Sequence, residues 1–445
     1  MSDQSIIRIG KEVMALQEDS DLSLAVACRD SDLRNVRAMI IGPPDTPYEF
    51  GFFEFALKFS RDYPRKSPNV TCTTTNSGTC RFNPNIYSNG KVCLSILGTW
   101  RGERGEEWSA AQGLESILLS IQSLMSGNPY ENEPGFEDAN GPNDKKNQKD
   151  YVQKIRHETL RVSIILRLEQ FLGTRSDPLE LLRHNQCNPT EDIDMDGSDE
   201  QPAPYEPFKD LCKRRFLWYY DTYLATARKG KEEVTDGQPF ARMPFEGGNN
   251  SMDGRFCYGE LIKRLVDIKA TLDAETAGWA AEGAAAKAKE ATVAVNLARQ
   301  FEQSVEAFKR DGMPHNIELE NGNPFAWVVT YFGKPMTNLD GGLFRFRLML
   351  SPRFPQEQPR ARFETPIFHQ RISADGTPCY GVKFRKRDDV RSHIEAIIEA
   401  LEEENPPYDP RTMVHPEAHK LYWGSQEDRK LYNRKLRRLV QQSME

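Results

Sequence analysis

The stretch Phe82-Asn-Pro-Asn-Ile-Tyr-Ser-Asn-Gly-Lys-Val-Cys93 returns in altered form as Phe368-His-Gln-Arg-Ile-Ser-Ala-Asp-Gly-Thr-Pro-Cys379. The phenylalanine, isoleucine, glycine and cysteine of the two stretches align without a gap. Because proline, glycine and asparagine favour turns, the first stretch is predicted to be an irregular loop that presents a cysteine. A long internal repeat of this kind indicates that one structural unit occurs twice in the chain.

The residues before and after the two loops repeat as well. Upstream, apolar residues alternate with others in both halves, which predicts a half-buried strand. These residues are Phe53, Phe55, Leu57 and Phe59, and then Phe344, Phe346, Leu348 and Leu350. Downstream, both halves have the apolar spacing of a helix that ends before an Asn-Pro pair. The helix residues are Ile117, Ile121 and Leu124, and then Ile394, Ile398 and Leu401.

Each half is therefore predicted to hold an N-terminal helix, an antiparallel meander of strands, the cysteine loop and C-terminal helices. This is an α+β domain used twice. We place the first domain at residues 1–174 and the second at residues 312–445. Residues 175–311 are predicted to form a mostly helical extension, with an acidic loop at Asp192–Glu200 and an Ala-rich connecting helix from Trp279 to Arg299.

The overall composition limits the classes of partner. The 445 residues contain 59 Lys and Arg against 66 Asp and Glu, a formal net charge of −7. This balance argues against nucleic acid as a general partner, because phosphate binding needs a basic face. No apolar run approaches the ~20 residues of a membrane span, and the first residues lack the pattern of a secretory signal. We therefore expect no membrane partner and a cytoplasmic protein, with entry into the nucleus left open.

The cysteines do not form a recognisable framework. The chain has eight, and none belongs to a Cys-x-x-Cys pair. Neither a disulfide scaffold nor a zinc module is predicted, and we expect no metal site. An arbitrary loop cysteine is more often a buried packing residue than a reactive one. For Cys93 the surrounding motif reverses that expectation.

The motif from Phe82 to Leu97 resembles the active-site signature of ubiquitin-conjugating enzymes, and the Tyr63-Pro-x-x-x-Pro68 pattern belongs to the same family. The longer segment between the cysteine and the next helix, at Arg101–Glu107, is similar to that of the Z-type subgroup. Further stretches resemble that subgroup and its helical C-terminal extension, so the resemblance covers about residues 1–275. These stretches are 94–100, 108–109, 120–125, 128–136, 155–162, 216–223 and 258–268.

The resemblance implies a thioester relay. An ATP-dependent activating enzyme would transfer ubiquitin, or a ubiquitin-like modifier, to Cys93, and a substrate lysine or a ligase cysteine would then take it. A thiolate suits this task because it is both a good nucleophile and a good leaving group. No cofactor bound to this chain is implied, since ATP is used by the partner enzyme. The identity of the modifier, substrates, chain linkage and oligomeric state are left open.

The resemblance also assigns roles to other residues. Asn85 matches the family's asparagine, whose amide would stabilise the oxyanion of lysine attack or order the loop, and both roles stay open. Asn83 stands where the family usually has histidine, which affects loop hydrogen bonding rather than catalysis. Glu133 is near the family's acidic position that helps to position or deprotonate the lysine. Because the spacing differs by one residue, Asn132 competes for this role.

Two other classes of function remain as alternatives. A non-catalytic ubiquitin-binding scaffold would need both conjugating-type domains to be inactive, against which the full signature at Asn85 and Cys93 argues. A cysteine hydrolase would need a histidine base, and residues 1–156 contain none. It would have to recruit His157, His184 or a more remote histidine, which weakens this alternative.

The second loop keeps its cysteine but not its neighbours. Arg371 stands at the place of Asn85, and Pro378, directly before Cys379, restricts the backbone of the loop there. We weigh a degenerate, non-catalytic copy above an active site, while Cys379 stays a candidate second thiol. The hypothesis for the second domain is binding or autoregulation.

Overall fold

The computed structural model describes residues 4–19, 21–102, 105–174, 205–247, 252–313, 315–403 and 405–444. These residues form two compact units. The first comprises the described residues of 4–17, 21–209 and 227–262, and the second those of 18–19, 210–226 and 263–444. The acidic loop predicted at Asp192–Glu200 lies outside the described residues.

The first unit contains a four-stranded antiparallel sheet in which each strand pairs with the next along the chain. Its strands are β1 (Leu24–Arg29), β2 (Asp32–Ile41), β3 (Phe52–Lys58) and β4 (Asn69–Cys72). Its helices are α1 (Gln4–Glu18), α2 (Leu114–Ser123), α3 (Pro142–Glu158) and α4 (Arg167–Leu172), with π-helical turns at Thr159–Leu166 between the last two. The sheet packs its apolar residues against α1 and α2, so the antiparallel meander predicted from the sequence is confirmed.

Two long helices follow in the extension, α5 (Lys209–Glu233) and α6 (Tyr258–Ala288). Residues 210–226 of α5 and residues 263–288 of α6 group with the second unit, and the remaining residues of both helices with the first. In the segment that connects the two helices, Glu246 forms an ion pair with the fully buried Lys154 of α3, with Nζ and Oε1 2.5 Å apart. This segment of the extension is therefore anchored on α3.

The second unit repeats the sheet of the first in the same strand order. Its strands are β5 (Asn316–Leu319), β6 (Ala326–Phe332), β7 (Leu343–Met349) and β8 (Arg360–Phe363). Its further helices are α7 (Thr292–Arg310), α8 (Val390–Glu402), α9 (Pro416–Trp423) and α10 (Gln426–Gln442). In β7 buried and more exposed residues alternate, as the period of two predicts.

Strand β3 differs from its repeat because both of its faces are covered. Phe53, Phe55 and Leu57 point into the core as predicted, yet Glu54 between them is also buried. Its carboxylate binds Arg37 of β2 at 2.7 Å and Arg167 of α4 at 2.6 Å. The prediction of a half-buried strand therefore holds for β7 and is wrong for β3. In β3 the face predicted to be exposed is also covered, because two arginines satisfy the buried charge of Glu54.

The prediction of a single Ala-rich helix from Trp279 to Arg299 is wrong. Helix α6 ends at Ala288, Glu290 takes a positive φ of 50°, and α7 begins at Thr292. The sequence places this region in the connecting extension, whereas Leu297 and Phe308 of α7 lie in the hydrophobic core of the second unit. Alanines with high helix propensity lie on both sides of the break, so helix propensity does not predict its position. We attribute the position of the break to packing in the core of the second unit.

No helix among the described residues is long and apolar enough to cross a membrane.

Candidate active site

The loop that ends in Cys93 is folded back on its own backbone. The Cys93 N–H donates to the carbonyl oxygen of Asn85 at 2.8 Å. Gly90 lies between them with a φ of 88°, and its carbonyl accepts a hydrogen bond of 2.8 Å from the N–H of Cys72 on β4. A Cβ on Gly90 would lie 2.4 Å from the Cys72 carbonyl oxygen. The turn thus requires glycine, both for its φ and for the close approach to β4.

The structure brings the predicted residues Cys93 and Asn85 together. The side-chain Nδ2 of Asn85 donates to the carbonyl oxygen of Cys93 at 3.2 Å. The Oδ1 of the same amide is buried without a hydrogen-bond partner among the described residues. Cys93 itself is 3% exposed. An amide donor therefore lies beside the residue that would hold an acyl group.

Asn83, at the position where the family usually has histidine, makes hydrogen bonds that hold the loop. Its Oδ1 accepts from the Asn85 N–H at 2.9 Å, which aligns the start of the loop. Its Nδ2 donates to the Leu124 carbonyl at 2.8 Å and to the Tyr48 hydroxyl at 3.0 Å. Asn83 is fully buried, and each side-chain atom that can bond does so. This asparagine is a structural anchor of the loop.

The two candidates for lysine positioning have different partners. Asn132, in the 3₁₀ turn Pro129–Asn132, donates through Nδ2 to the carbonyl of Leu124 at 2.8 Å. Glu133 pairs with Arg81, whose Nη2 lies 3.1 Å from Oε2 of the carboxylate. Burial raises the pKa of the Glu133 carboxyl, and the Arg81 guanidinium opposes the shift. Of the two, Glu133 is the one connected to the cysteine loop through an ion pair.

Arg81 and Tyr87 are parts of the site that sequence reasoning missed. The buried Arg81 donates to the Pro84 carbonyl at 2.5 Å, and its guanidinium lies 4.9 Å from the centroid of the Tyr87 ring. Burial first, and then the charge of Cys93 and a hydrogen bond with it, raise the pKa of the Tyr87 hydroxyl. The only sequence signal for Arg81 is its place directly before the motif, since its acidic partner is remote in sequence.

The second cysteine loop has the same backbone hydrogen bonds as the first. The Cys379 N–H donates to the Arg371 carbonyl at 2.8 Å, and the Phe363 N–H of β8 donates to the Gly376 carbonyl at 2.8 Å. Gly376 has a φ of 92°, and a Cβ there would lie 2.5 Å from the Phe363 carbonyl oxygen. His369 Nδ1 accepts from the Arg371 N–H at 3.2 Å. The repeat found in the sequence is therefore a repeat of backbone geometry.

The side chains around Cys379 differ from those around Cys93. The guanidinium of Arg371, at the place of the Asn85 amide, binds Glu403 at 2.6 Å. Cys379 is 1% exposed, and burial raises the pKa of its thiol to about 11, although Arg215 and Arg371 act in the opposite direction. A high pKa leaves little thiolate at neutral pH. The second loop thus keeps the cysteine without the amide donor.

His157, the first histidine that a hydrolase could recruit, is engaged elsewhere. It is fully buried in α3, with Nδ1 3.0 Å from Oε1 of Glu158. Its Nε2 accepts from the Cys257 N–H at 3.0 Å and lies 3.4 Å from the Cys257 sulfur. Aromatic rings of Phe240 and Tyr258 pack against the imidazole. This order of thiol, imidazole and carboxylate resembles a hydrolase triad, yet the Nε2 lone pair is occupied by a backbone N–H at the start of α6.

A family model described as "Ubiquitin-conjugating enzyme" matches residues 8–159 and 296–440. Ubiquitin-conjugating enzyme E2 Z from Homo sapiens is 41% identical over 264 residues, which are 59% of this chain and 62% of the relative. The protein of the same name from Xenopus tropicalis is 49% identical over 272 residues, 60% of this chain and 72% of the relative. The chain thus spans little more than six tenths of the human relative that it matches.

A solved structure, of human ubiquitin-conjugating enzyme E2 G1, matches 28% of this chain and 97% of its own chain at 29% identity, with a TM-score of 0.25. A match with this TM-score carries no argument about the fold of the chain. The family model, by contrast, matches more than half of the chain in two separate stretches, and the Xenopus relative is covered over more than two thirds of its length. This chain belongs to the ubiquitin-conjugating enzyme family, with relatives of the Z type.

Proposed function

We propose that the chain is a ubiquitin-conjugating enzyme with Cys93 as its thioester cysteine. It would accept ubiquitin, or a ubiquitin-like modifier, from an activating enzyme that uses ATP, and transfer it to a substrate lysine or to a ligase cysteine. The observation that carries this proposal is the contact of the Asn85 amide with Cys93 in a loop held by Gly90 and Asn83. The family membership of the chain supports the same reaction.

The chemistry requires two acyl transfers at one sulfur. In the first, the Cys93 thiolate attacks the thioester on the activating enzyme, a new C–S bond forms, and the activating enzyme's thiolate leaves. In the second, a lysine amine attacks the same carbonyl, and the oxyanion that forms then expels the Cys93 thiolate while the amine gives up its proton. One hydrogen of the Asn85 amide nitrogen is used in the bond to the Cys93 carbonyl, and the second can donate to the oxyanion. Both the loop-ordering and the oxyanion role are thus compatible with its position.

We further propose that Glu133, rather than Asn132, positions the incoming lysine. The Asn132 side chain is a neutral amide that donates to the Leu124 carbonyl, whereas the Glu133 side chain is a carboxylate with a second oxygen beyond its pair with Arg81. Arg81 also bonds the Pro84 carbonyl, so the ion pair ties the carboxylate to the loop that holds Asn85. A carboxylate in this place attracts a lysine ammonium and can accept its proton.

The domain arrangement belongs to the same proposal. We propose two ubiquitin-conjugating domains, at residues 1–174 and 312–445, joined by the mostly helical residues 175–311, with only the first domain catalytic. The two stretches of family similarity support two domains. The pair between Arg371 and Glu403, at the place of the Asn85 amide, supports a non-catalytic second domain in which Cys379 carries no modifier.

The test is thioester formation on the full chain. Activating enzyme, ATP and ubiquitin are added, and a non-reducing gel is compared with a reduced one. We expect a reducible adduct in the wild type and in the matched control Cys379→Ala, and no adduct in Cys93→Ala. An adduct that survives Cys93→Ala and disappears in Cys379→Ala would reverse the assignment of the two cysteines.

Two further outcomes decide between this proposal and its alternatives. The absence of an adduct with any activating enzyme and modifier would favour the non-catalytic scaffold. Release of a fluorophore from a ubiquitin C-terminal amide, dependent on Cys93, would favour the hydrolase. We expect an adduct to form. We also expect no release of the fluorophore, since the buried His157 has Glu158 and Cys257 as partners.

A further inference from the structure

The second cysteine loop is covered by helices of the same unit. Residues 210–226 of α5 and residues 263–288 of α6 belong to the second unit, together with the whole of β5–β8 and the loop. The two helices are joined by an ion pair in which Lys213 Nζ lies 2.6 Å from Oε1 of Glu275. Polar bonds from these helices reach the loop and its surroundings at three separate points.

The first point is at the N-terminal end of α5. Asp210 Oδ1 pairs with Nη2 of Arg360 on β8 at 2.7 Å, and both side chains are largely buried. The same guanidinium donates through Nη1 to the Gln358 carbonyl at 2.7 Å. Asp210 Oδ2 accepts from the N–H of Gln358 at 3.3 Å. One carboxylate of the helix therefore satisfies both a side chain and the backbone at the start of β8.

The second point is next to the cysteine. Tyr219, one helical turn after Arg215, donates from its hydroxyl to the carbonyl of Arg411 at 2.6 Å. The Arg215 guanidinium is buried, lies 4.1 Å from the Trp218 ring and is one of two cations whose charge acts on the Cys379 thiol. Tyr219 is itself fully buried. The helix face that carries Arg215 and Tyr219 thus lies against the cysteine region of the second unit.

The third point is the turn of the loop. Burial raises the pKa of the Asp221 carboxyl on α5, and the backbone of Ala374 acts in the opposite direction. Lys269 of α6 pairs with Oδ2 of Asp375 at 2.9 Å, and also with Asp273 at 2.7 Å. The tip of the loop is therefore held by an ion pair from α6, and a carboxylate of α5 lies near it.

Asp375 replaces an asparagine of the first loop, and this change suits the contact. In the first loop, Asn89 Oδ1 accepts from the Lys91 N–H at 3.0 Å, which holds the turn. In the second loop, Asp375 Oδ1 does the same for the Thr377 N–H at 3.2 Å. The carboxylate adds an anionic second oxygen, and that oxygen is the one that pairs with Lys269. The turn function is kept, and a charge for the helix contact is gained.

We propose that the second cysteine loop is a docking site for one helix pair of the same chain, residues 210–226 of α5 joined by the Lys213–Glu275 ion pair to residues 263–288 of α6, and that this pair shields Cys379 from acyl transfer. The two helices contact Arg360, Arg411 and Asp375 of the second unit, Arg215 acts on the Cys379 thiol, and that cysteine is 1% exposed. A thioester would need an open approach for a protein C-terminus, and the helix occupies that approach. The loop keeps its backbone frame but serves intramolecular binding.

The test measures access to Cys379 in the full chain and does not depend on ubiquitin. N-ethylmaleimide labelling of Cys379 is followed over time by peptide mass spectrometry in native buffer and in guanidinium. We expect labelling in the native chain to be at least about a hundredfold slower than in the unfolded chain, because it requires local opening. Labelling at the same rate in both would overturn the proposal.

Two conservative variants separate docking from the stability of the loop. Asp375→Asn restores the residue of the first loop and removes only the charge that pairs with Lys269, while Lys269→Met removes the other partner. We expect each variant to label Cys379 about tenfold faster, and the double variant to add little, since the two changes remove one interaction. Arg228→Ala, at an exposed position of α5 in the first unit, is the matched control and is expected to leave the rate unchanged.

Additive rate increases of the two single variants, or an equal increase in the control, would contradict the docking contact. If a variant unfolds, as detected by far-ultraviolet circular dichroism, Tyr219→Phe replaces it, because it removes the hydroxyl that donates to the Arg411 carbonyl and keeps the aromatic ring. A ubiquitin thioester on Cys379 in Cys93→Ala would also overturn the proposal. Failure of Cys93 to be charged would contradict the proposed function alone and leave the labelling result intact.

Discussion

The side-chain amide of Asn85 donates to the carbonyl oxygen of Cys93 at 3.2 Å, while the Cys93 N–H donates back to the Asn85 carbonyl at 2.8 Å. In the second loop the backbone bond from Cys379 to Arg371 is present with the same length, but the side chain leaves the loop and binds Glu403. The two loops therefore share a frame and differ in the one donor that acyl transfer could use.

Replacing Asn85 by alanine is expected to slow transfer to lysine more than formation of the thioester. Loss of a single oxyanion donor lowers a rate constant by about 10²–10³-fold. Transfer to a thiol is expected to be less affected, because a thiolate is a good nucleophile toward a thioester. Single-turnover discharge of the Cys93 thioester to free lysine and to free cysteine measures the two rates.

The matched control for Asn85→Ala is Asn89→Ala in the same loop, whose side chain accepts a turn bond from the Lys91 N–H. It is expected to change both discharge rates by less than about threefold, since one exposed turn bond contributes about 0.5–1.5 kcal/mol to stability and none to the oxyanion. If Asn85→Ala instead reduces charging and discharge equally and lowers the melting temperature, its role is to order the loop.

Gly90 is expected to tolerate no side chain. A Cβ there would meet the Cys72 carbonyl oxygen at 2.4 Å, in addition to the strain of a φ of 88°. Positive φ alone costs a non-glycine residue about 1–3 kcal/mol, so Gly90→Ala should exceed that cost and abolish charging. Gly98→Ala is the matched control, because its φ is 66° and a Cβ added there would meet no atom of the described residues within 4 Å. Urea unfolding and thioester formation on both variants check this; equal losses would contradict the role of the close contact.

The repeat and the cysteine loop could be predicted from the sequence because both are local. Turn residues predict the loop, and apolar residues at every second position from Phe53 to Leu57 predict a strand. Neither prediction requires residues that are distant in the sequence. The pairing of Cys93 with Asn85 is implied by the resemblance of the motif, and the bonds between the two residues close within the loop. Such features are determined by short-range sterics and hydrogen bonding.

The partners that arrive from distant parts of the chain could not be predicted in this way. Arg81 is an ordinary cation in the sequence, and only the fold brings it to Glu133. The break between α6 and α7 follows from the burial of Leu297, which propensity does not encode. Likewise, nothing in the sequence near Cys379 indicates that α5 covers it. These features depend on tertiary packing.

Removal of the Glu133 charge is expected to destabilise the first unit. Glu133→Gln leaves the Arg81 guanidinium, which is 4% exposed, without its carboxylate. A buried charged group that loses a partner costs about 1–3 kcal/mol, and we expect a decrease of that size in the free energy of unfolding. The double variant Arg81→Met/Glu133→Leu should cost less than the sum of the two single variants, because no unpaired charge remains.

The same set of variants tests lysine positioning. If Glu133 acts on the lysine, the double variant stays slow in discharge to lysine even though its stability is largely restored. Burial raises the pKa of Glu133, so the discharge rate of the wild type should decrease at a higher pH than for an ordinary glutamate as the solution is acidified. A double variant with wild-type discharge would show that the pair is only structural.

The second unit is expected to lose stability at mildly acidic pH because of two buried histidines. Burial, with Arg371 and His415, lowers the pKa of His369 to about 3, and burial lowers the pKa of His393 to about 4. In the unfolded chain a histidine takes up its proton near pH ~6.5. Between that pH and the folded values the unfolded state binds more protons, so stability present above the unfolded pKa is lost as the pH falls. At about pH 5 each histidine should account for about 2 kcal/mol.

His369→Asn isolates one of these two contributions, because asparagine occupies the equivalent position, Asn83, in the first loop and accepts the same backbone hydrogen bond there. The variant should lose about 2 kcal/mol less than the wild type between about pH 7 and pH 5, while His393 continues to contribute. Urea unfolding at the two pH values, followed by hydrogen exchange in peptides of β6 and β7, reports the second unit separately. An identical loss in variant and wild type would mean that His369 is protonated in the folded chain, and its Nδ1 could then not accept from the Arg371 N–H.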